Sequence, residues 1–392
     1  MTASTGLTLR QLGLTVYLPS GVYSTGLGAV APVVVLSATQ LGASPAAAAV
    51  VASLLGLGQI AGSLPAGVLI SRVGERRTML AASALALPAL VACMLARDVL
   101  LLAAAVALLG VTGAAWGVAR HAYLTEAVDP GLRARAMSTL GGVSRIGTFA
   151  GPFLAAPVVH LRGVGGAYLV ALAGMGVATV LVALLPPVPH DRPPQAATDR
   201  PGLWKVIHDN AHTLRTLGPA VLLVGALRAS RQTVLPLWGV GLGLDPATIG
   251  LIYGLSGAVD MLLFYPAGRL MDRRGRRWAA VPAMALLGLA HALLPLAGGI
   301  AGLAAVAMLM GVGNGLSAGL VMTMGADASP ASGRAQFLGA WRLCADVGNG
   351  GGPLLIGAAT AAASLTVAAL AVGVAGAAAA LLLARYGEPV RR

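Results

Sequence analysis

The sequence predicts an all-α integral membrane protein with twelve transmembrane helices in two pseudo-symmetric six-helix bundles, and three observations carry that prediction. First, of 392 residues 57% are apolar and 10% are charged, at a mean hydropathy of +0.84, whereas soluble domains carry about 25% charged residues. Second, charges and prolines cut the apolar residues into stretches of the roughly 20 residues that a helix needs to cross the hydrocarbon core. Third, the second half of the chain repeats the first at a constant offset. The 54 glycines fit this class, because small residues let membrane helices approach closely.

Taken in order, the first six spans are expected at 12–36, 46–70, 77–96, 99–124, 136–159 and 164–186, and the second six at 217–241, 247–271, 278–298, 300–325, 336–359 and 364–385. The N-terminal bundle thus covers 1–186 and the C-terminal bundle 217–392. Between them a polar segment, 187–216, reads as a cytoplasmic linker: it begins in the run Pro186-Pro187-Val188-Pro189, and a surface helix from Leu203 to Leu217 is expected to end it, with Trp204 at the interface. Only Arg10 precedes the first apolar run, so a retained span is expected there and not a cleaved signal peptide. Cys93 and Cys344 each lie in apolar runs and imply neither a disulfide framework nor a metal cluster.

The formal charge of +13 invites a nucleic-acid reading, but the positions of the charges argue otherwise. With the N-terminus in the cytoplasm, nineteen of the 26 basic residues fall on cytoplasmic connections and tails, and only Arg97 and Arg162 face outside. The positive-inside rule therefore expects both termini in the cytoplasm, which accounts for the basic excess without a nucleic-acid partner; a monomer in the cell membrane is expected. Five arginines remain within or at the ends of spans: Arg120, Arg145, Arg228, Arg231 and Arg342.

The repeat runs ungapped at an offset of 201. Leu41-Gly42-Ala43-Ser44-Pro45 matches Leu242-Gly243-Leu244-Asp245-Pro246, each a short turn, an N-cap residue and a proline to open a helix. Pro65-Ala66-Gly67 matches Pro266-Ala267-Gly268, Gly74 matches Gly275, Gly110-Val111 matches Gly311-Val312, and Gly147 with Gly151-Pro152 matches Gly348 with Gly352-Pro353. Two parallel six-helix repeats are the sequence mark of a secondary-transporter architecture.

The repeated residues resemble the major facilitator superfamily over essentially the whole chain. Its signature between helices 2 and 3 stands nearly whole in the second half, as Gly268-Arg269-Leu270-Met271-Asp272-Arg273-Arg274-Gly275-Arg276-Arg277; the first copy reads Gly67-Val68-Leu69-Ile70-Ser71-Arg72-Val73-Gly74-Glu75-Arg76-Arg77, with Ser71 in place of the Asp. The resemblance implies conformational gating loops, with Asp272 facing the positive end of helix 5 and Ser71 latching the other side more weakly; topology anchoring is the plainer role for each arginine. Gly147 to Gly151-Pro152 resembles the antiporter motif of drug-proton exporters, although the two later glycines of that motif are Ala155-Ala156 here. A bend and a tight helix seam are expected at both copies. Exporters of this type also carry an Arg early in helix 4. Val106 occupies that place, and Arg120 lies at the far end of the helix.

A charged side chain at mid-bilayer costs about 2.5–3.5 kcal/mol on insertion scales, so each is a candidate site residue. Arg145 and Asp260 lie at matching depths in spans 5 and 8 and are expected to pair across the two halves. At the repeat offset, Gln59 corresponds to Asp260 and Arg145 to Asp346, so Gln59 is expected to approach Asp346, which Arg342 precedes by one helical turn. These five are the proton-coupling candidates, because a buried carboxylate that loses a neighbouring guanidinium is a place to bind a proton; a static ion pair is the alternative. Arg228 and Arg231 either line the substrate cavity and attract an anion, or neutralise Asp346, Glu126 or a helix C-terminus. Glu126 is expected to pair with Arg120, Arg133 or Arg135, and His121, His160 and His291 to serve packing.

Together these features predict alternating-access secondary transport, proton-coupled export of a small organic molecule, with no cofactor beyond the proton gradient and no metal. Proton-linked uptake of a polar or anionic metabolite is the alternative, and a transport-inactive regulatory protein a remote one. No nucleophile-base pair, metal cluster or phosphate loop suggests an enzyme.

Overall fold

The computed structural model describes residues 12–128, 132–184, 203–330 and 332–387, which are helical almost throughout and contain no strand. Residues 187–202 of the expected linker, Arg10 and the rest of both chain ends lie outside the described residues. The first span, α1, is built of three joined pieces, a π-helical turn Gly13–Tyr17, Leu18–Val30 and Val33–Gln40. Five helices follow: α2 (Pro45–Val73), α3 (Glu75–Leu95), α4 (Val99–Ala127), α5 (Arg133–Arg162) and α6 (Gly165–Ala183). The second set is α7 (Ala211–Gly241), α8 (Pro246–Arg274), α9 (Arg277–Leu293), α10 (Gly299–Leu316 and Leu320–Ala328), α11 (Arg334–Ala362) and α12 (Leu365–Tyr386).

Local chemistry explains where these helices start. Pro45 and Pro246 stand at first helical positions, where a missing N–H costs nothing. Ser44, Asp98 and Ser364 accept the backbone N–H of Ala47 (3.2 Å), Leu101 (2.8 Å) and Val367 (3.2 Å), satisfying otherwise orphaned donors. The expected surface helix is shorter than the sequence suggested. It covers Leu203–Asp209, and α7 begins at Ala211, because Asn210 leaves helical geometry and restarts the chain. Trp204 on the short helix is exposed, as an interfacial residue would be.

Among the described residues, nine spans are long and apolar enough to cross a membrane, counting the pieces of α1 and of α10 each as one. The other three long helices, α5, α7 and α11, are those that carry Arg145, Arg228 with Arg231, and Arg342 with Asp346. They are as long as the others but less apolar.

The described residues fall into two compact units, one drawn from 1–42, 54–193 and 246–254 and the other from 43–53, 194–245 and 255–392. Their internal packing repeats. In the first, α1 packs on α5 and α6, and α3 on α4 and α6; in the second, α7 packs on α11 and α12, and α9 on α10 and α12.

The offset of 201 survives at the level of single atoms. A Cβ on Gly147 would strike the carbonyl of Gly21, and one on Gly348 that of Leu222; for Gly151 and Gly352 the obstacles are the carbonyls of Thr25 and Ala226, and for Gly110 and Gly311 those of Leu55 and Ser256. Every obstacle in the second half is the repeat counterpart of the one in the first. Backbone conformation repeats too: the turns at Gly42 and Gly243 have φ of 85° and 72°, and those at Gly74 and Gly275 have 87° and 95°, a region that side chains disfavour. The tight seams expected from the Gly-Pro pattern are thus present at α1–α5 and α7–α11, while α5 and α11 run on as single helices through Pro152 and Pro353.

One feature does not repeat. Helix α10 breaks at Ser317 to Gly319, where Gly319 has a φ of 76°, whereas the corresponding residues of α4, Trp116 to Val118, are continuous helix.

Candidate functional site

Asp260 stands at the midpoint of the 29-residue α8. Its Oδ2 accepts a hydrogen bond of 2.6 Å from Nδ2 of Asn314, whose Oδ1 accepts one of 2.9 Å from Nε of Arg228. An amide presents a donor on one side and an acceptor on the other, so Asn314 joins a guanidinium to a carboxylate with both bonds in the right polarity. Bonds to charged groups are the stronger kind. Asn314 is buried, and the glycines on either side let α10 close on its neighbours: a Cβ on Gly315 would lie 2.8 Å from the Asp260 carbonyl oxygen, and one on Gly313 2.9 Å from the Ala283 carbonyl oxygen.

A second rung lies one turn away on both helices. Arg231, only 6% exposed, donates from Nη1 to Ser256 Oγ at 2.8 Å. Ser256 precedes Asp260 by four residues and Arg231 follows Arg228 by three, so α7 and α8 present matching faces. His291 of α9 is fully buried and hydrogen-bonded through Nδ1 to the Leu287 carbonyl at 2.7 Å, the packing role expected of it.

Of the sequence candidates, the structure brings Arg228 to Asp260 through Asn314, a partner not among those expected for Arg228. Arg342 and Asp346 meet one turn apart on α11 at 3.7 Å. Gln59 and Arg145 are half-buried and belong to the first unit, while Asp260 and Asp346 belong to the second. Arg120 goes neither to Glu126 nor into solvent: Nη1 donates to Ser144 Oγ of α5 at 3.2 Å and the guanidinium lies 5.2 Å from the Trp116 ring centroid. Arg133 donates to the Val128 carbonyl at 3.3 Å.

In the gating loops, Arg276 forms a fork. It bonds the Asp272 carboxylate at 3.1 Å, Asp327 at 3.0 Å and the Met271 carbonyl at 3.0 Å. Partial burial works against its charge, but the two carboxylates outweigh it and raise its pKa. Asp272 is therefore held within its own loop and tied through Arg276 to the end of α10. In the first copy Ser71 turns back to the Val68 carbonyl at 2.8 Å, and Arg76 instead closes the C-terminus of α6, donating to the carbonyls of Val182 (3.3 Å) and Ala183. A cation there complements the helix dipole. The two loops share a backbone turn and differ in what their arginines grip.

A family model described as Major Facilitator Superfamily matches residues 16–228 and 217–392. The chain belongs to the major facilitator superfamily. It is accordingly a multi-pass membrane protein of a transporter family. Solved structures with the same fold include a POT family transporter in complex with 5-aminolevulinic acid (TM-score 0.77, 12% identity, 96% of each chain). An autoinhibited POT family peptide transporter (0.75, 16%, 98% of each chain) and the nucleoside transporter NupG (0.76, 12%, 97% of this chain and 100% of that one) are similar to the same extent. At these identities the likeness is one of fold. No curated protein matches the sequence.

Sequence reasoning missed Asn314 and Ser256 as the partners of the two arginines. The signal for Asn314 was present: an amide between two glycines inside an apolar run is costly in hydrocarbon unless it is paired.

Proposed function

We propose that the chain is a proton-coupled secondary transporter of the cell membrane, both termini cytoplasmic, that exports a small organic molecule by alternating access. The Arg228–Asn314–Asp260 chain is the observation that carries this reading. It supplies a carboxylate at mid-helix, a fixed cation, and an amide between them that bonds the charged carboxylate. In our reading Asp260 is the proton carrier. Arg145 approaches it in one conformation of the halves and withdraws in the other, and Arg342 with Gln59 plays the same part at Asp346. A carboxylate stays ionised beside a guanidinium and takes up a proton more readily without one. Outward direction is favoured by the resemblance of the Gly147 to Pro152 segment to exporter motifs. Uptake of an anionic metabolite is the second reading, favoured by the four intramembrane arginines, Arg145, Arg228, Arg231 and Arg342, against two aspartates.

The test begins with metabolite and drug-susceptibility profiles of cells lacking or overproducing the protein. The compound that redistributes is then followed in inverted membrane vesicles. Asp260→Asn should abolish accumulation driven by a pH gradient while leaving substrate-for-substrate exchange intact; gradient-driven accumulation that persists unchanged would overturn the coupling role.

A further inference from the structure

The corner between α8 and α9 holds more cations than its carboxylates can pair. Among the described residues Arg276 takes both Asp272 and Asp327, while the exposed Arg269, Arg273, Arg274 and Arg277 enter no ion pair. The helices meet tightly there: only Gly275 and Arg276 separate Arg274, the end of α8, from Arg277, the start of α9. Two exposed stripes lead to this corner. On α8, Leu255, Leu262, Tyr265, Arg269 and Arg273 follow at steps of seven, three, four and four residues, which keeps them on one face; Leu262 is 72% exposed and Tyr265 65%. On α9, Leu289, Pro282 and Trp278 are exposed at steps of seven and four, with Arg277 beside Trp278 at the corner. Each stripe passes from apolar side chains to an aromatic ring and then to arginine.

Depth gives that order its meaning. A hydrocarbon core spans about 20 helical residues, so a core centred on Asp260, the midpoint of α8, ends about ten residues later. Tyr265 then lies just inside the core, where aromatic belts form. Arg269 stands at its edge and Arg273 about 6 Å beyond, at 1.5 Å per residue, among the headgroups. The Arg269 guanidinium lies 4.9 Å from the centroid of the Tyr265 ring, a contact that holds the cation at that level. The first half has the same glycine turn without this arrangement. At the offset of 201 the residues standing for Tyr265, Arg269, Arg274 and Trp278 are Leu64, Val68, Val73 and Arg77. Arg76, the counterpart of Arg277, is engaged with the carbonyls that end α6. Membrane orientation calls for basic loops, but it does not call for rings that set the depth of a guanidinium in one half only.

We propose that the α8–α9 corner is a binding site for an anionic phospholipid of the adjoining leaflet. Arg269, Arg273 and Arg277 hold the phosphate and the charged headgroup, Tyr265 and Trp278 sit at the level of the ester linkages, and the acyl chains lie along the apolar ends of the two stripes. Arginine suits a phosphate because its planar fork can donate two hydrogen bonds to it at once, and basic clusters at the end of a membrane helix attract anionic lipid. The bound headgroup borders the Arg276 fork that ties this loop to α10. Which leaflet is meant rests on the proposed orientation; the site itself does not.

Purified full-length protein in mild detergent at low salt is titrated with phosphatidylglycerol, phosphatidylcholine and soluble glycerol 3-phosphate, with bound molecules counted by native mass spectrometry and thermal stability followed in parallel. Phosphatidylglycerol should stay bound and raise the Tm; the zwitterionic lipid and the soluble phosphate should do neither. Arg269→Gln and Arg273→Gln should each weaken phosphatidylglycerol binding about fivefold, the share of one arginine near an anionic surface. Arg269→Lys keeps the charge and should keep most of the binding, which separates loss of the site from misfolding. The first-half pair Arg72→Gln with Arg77→Gln should leave binding as it is. Equal binding of the two lipids, as expected if the arginines serve orientation only, would overturn the site. So would glycerol 3-phosphate binding as well as the lipid, unchanged binding in the double variant Arg269→Gln with Arg273→Gln, or an equal loss in the first-half pair. Binding in detergent needs neither gradient nor cargo, so its failure leaves the transport reading standing, and failure of the Asp260→Asn test leaves this site standing.

Discussion

Removing the Asn314 amide tests the polar chain most directly. Asn314→Leu keeps nearly the same volume and deletes the bonds to Arg228 (2.9 Å) and Asp260 (2.6 Å) at once. Hydrogen bonds between membrane helices average about 0.6 kcal/mol in double-mutant cycles and reach about 1.7. Bonds to charged groups belong at the upper end of that range, so two of them predict a loss of about 2–3 kcal/mol. The single change also strands charges, and a cycle isolates the pair: Asn314→Leu, Arg228→Met and the double variant, each unfolded in detergent and monitored by tryptophan fluorescence. The expected coupling between the two sites is about 1–1.7 kcal/mol. Additivity within about 0.3–0.5 kcal/mol, the scatter of independent sites, would refute the Arg228–Asn314 bond and the polar chain with it. In transport, Asn314→Leu should slow gradient-driven movement more than exchange.

Other expectations follow from the same geometry. Gly110→Ala and Gly311→Ala each drive a methyl into a neighbouring backbone carbonyl and should each cost about 1–3 kcal/mol in thermal unfolding, equally in the two halves. Gly74→Ala and Gly275→Ala force φ near 90° on a side-chain-bearing residue, although a methyl at Gly275 meets open space; each should cost about 1 kcal/mol or somewhat more, read as a lowered Tm. Arg276→Gln releases Asp272 and Asp327 and should slow conformational exchange, measured by spin labels or single-molecule fluorescence, while lowering stability by about 1 kcal/mol or less, because the fork is partly exposed. The raised pKa of Arg276 means that its contribution is complete at neutral pH and disappears only in strongly alkaline solution as the guanidinium deprotonates. Transport pH profiles near neutrality should therefore keep their shape in Arg276→Lys.

Much of the architecture was legible because hydrocarbon imposes a length on every helix, and because the duplication states each packing rule twice. The offset read from Gly110 and Gly311 names the same backbone obstacles in both halves. The helix start at Ser44-Pro45 was legible in the same way, from cap chemistry, and the same chemistry opens helices at Asp98 and Ser364. The site was less so. Charge depth singled out Asp260 and Arg228, but side-chain bridges across helices depend on rotation about each axis, which apolar runs without a polar face leave open. Asn314 has Gly113 as its repeat counterpart, so the symmetry that reveals the fold says nothing of this residue. Arg120 lies at the far end of α4 from the position the exporter resemblance points to; its partners are Trp116, one turn away on the same helix, and Ser144 on α5.

The break in α10 separates two residues that otherwise would move as one rod. Asn314 rides on the N-terminal piece and Asp327 on the C-terminal piece, with the Ser317 to Gly319 joint only three residues past Asn314. Arg276 grips Asp327, so a displacement of the loop between α8 and α9 pulls on the short arm of a lever whose fulcrum adjoins the Asp260 bridge. The second half thus has a mechanical linkage from its surface loop to its buried carboxylate, and the continuous α4 gives the first half no such joint.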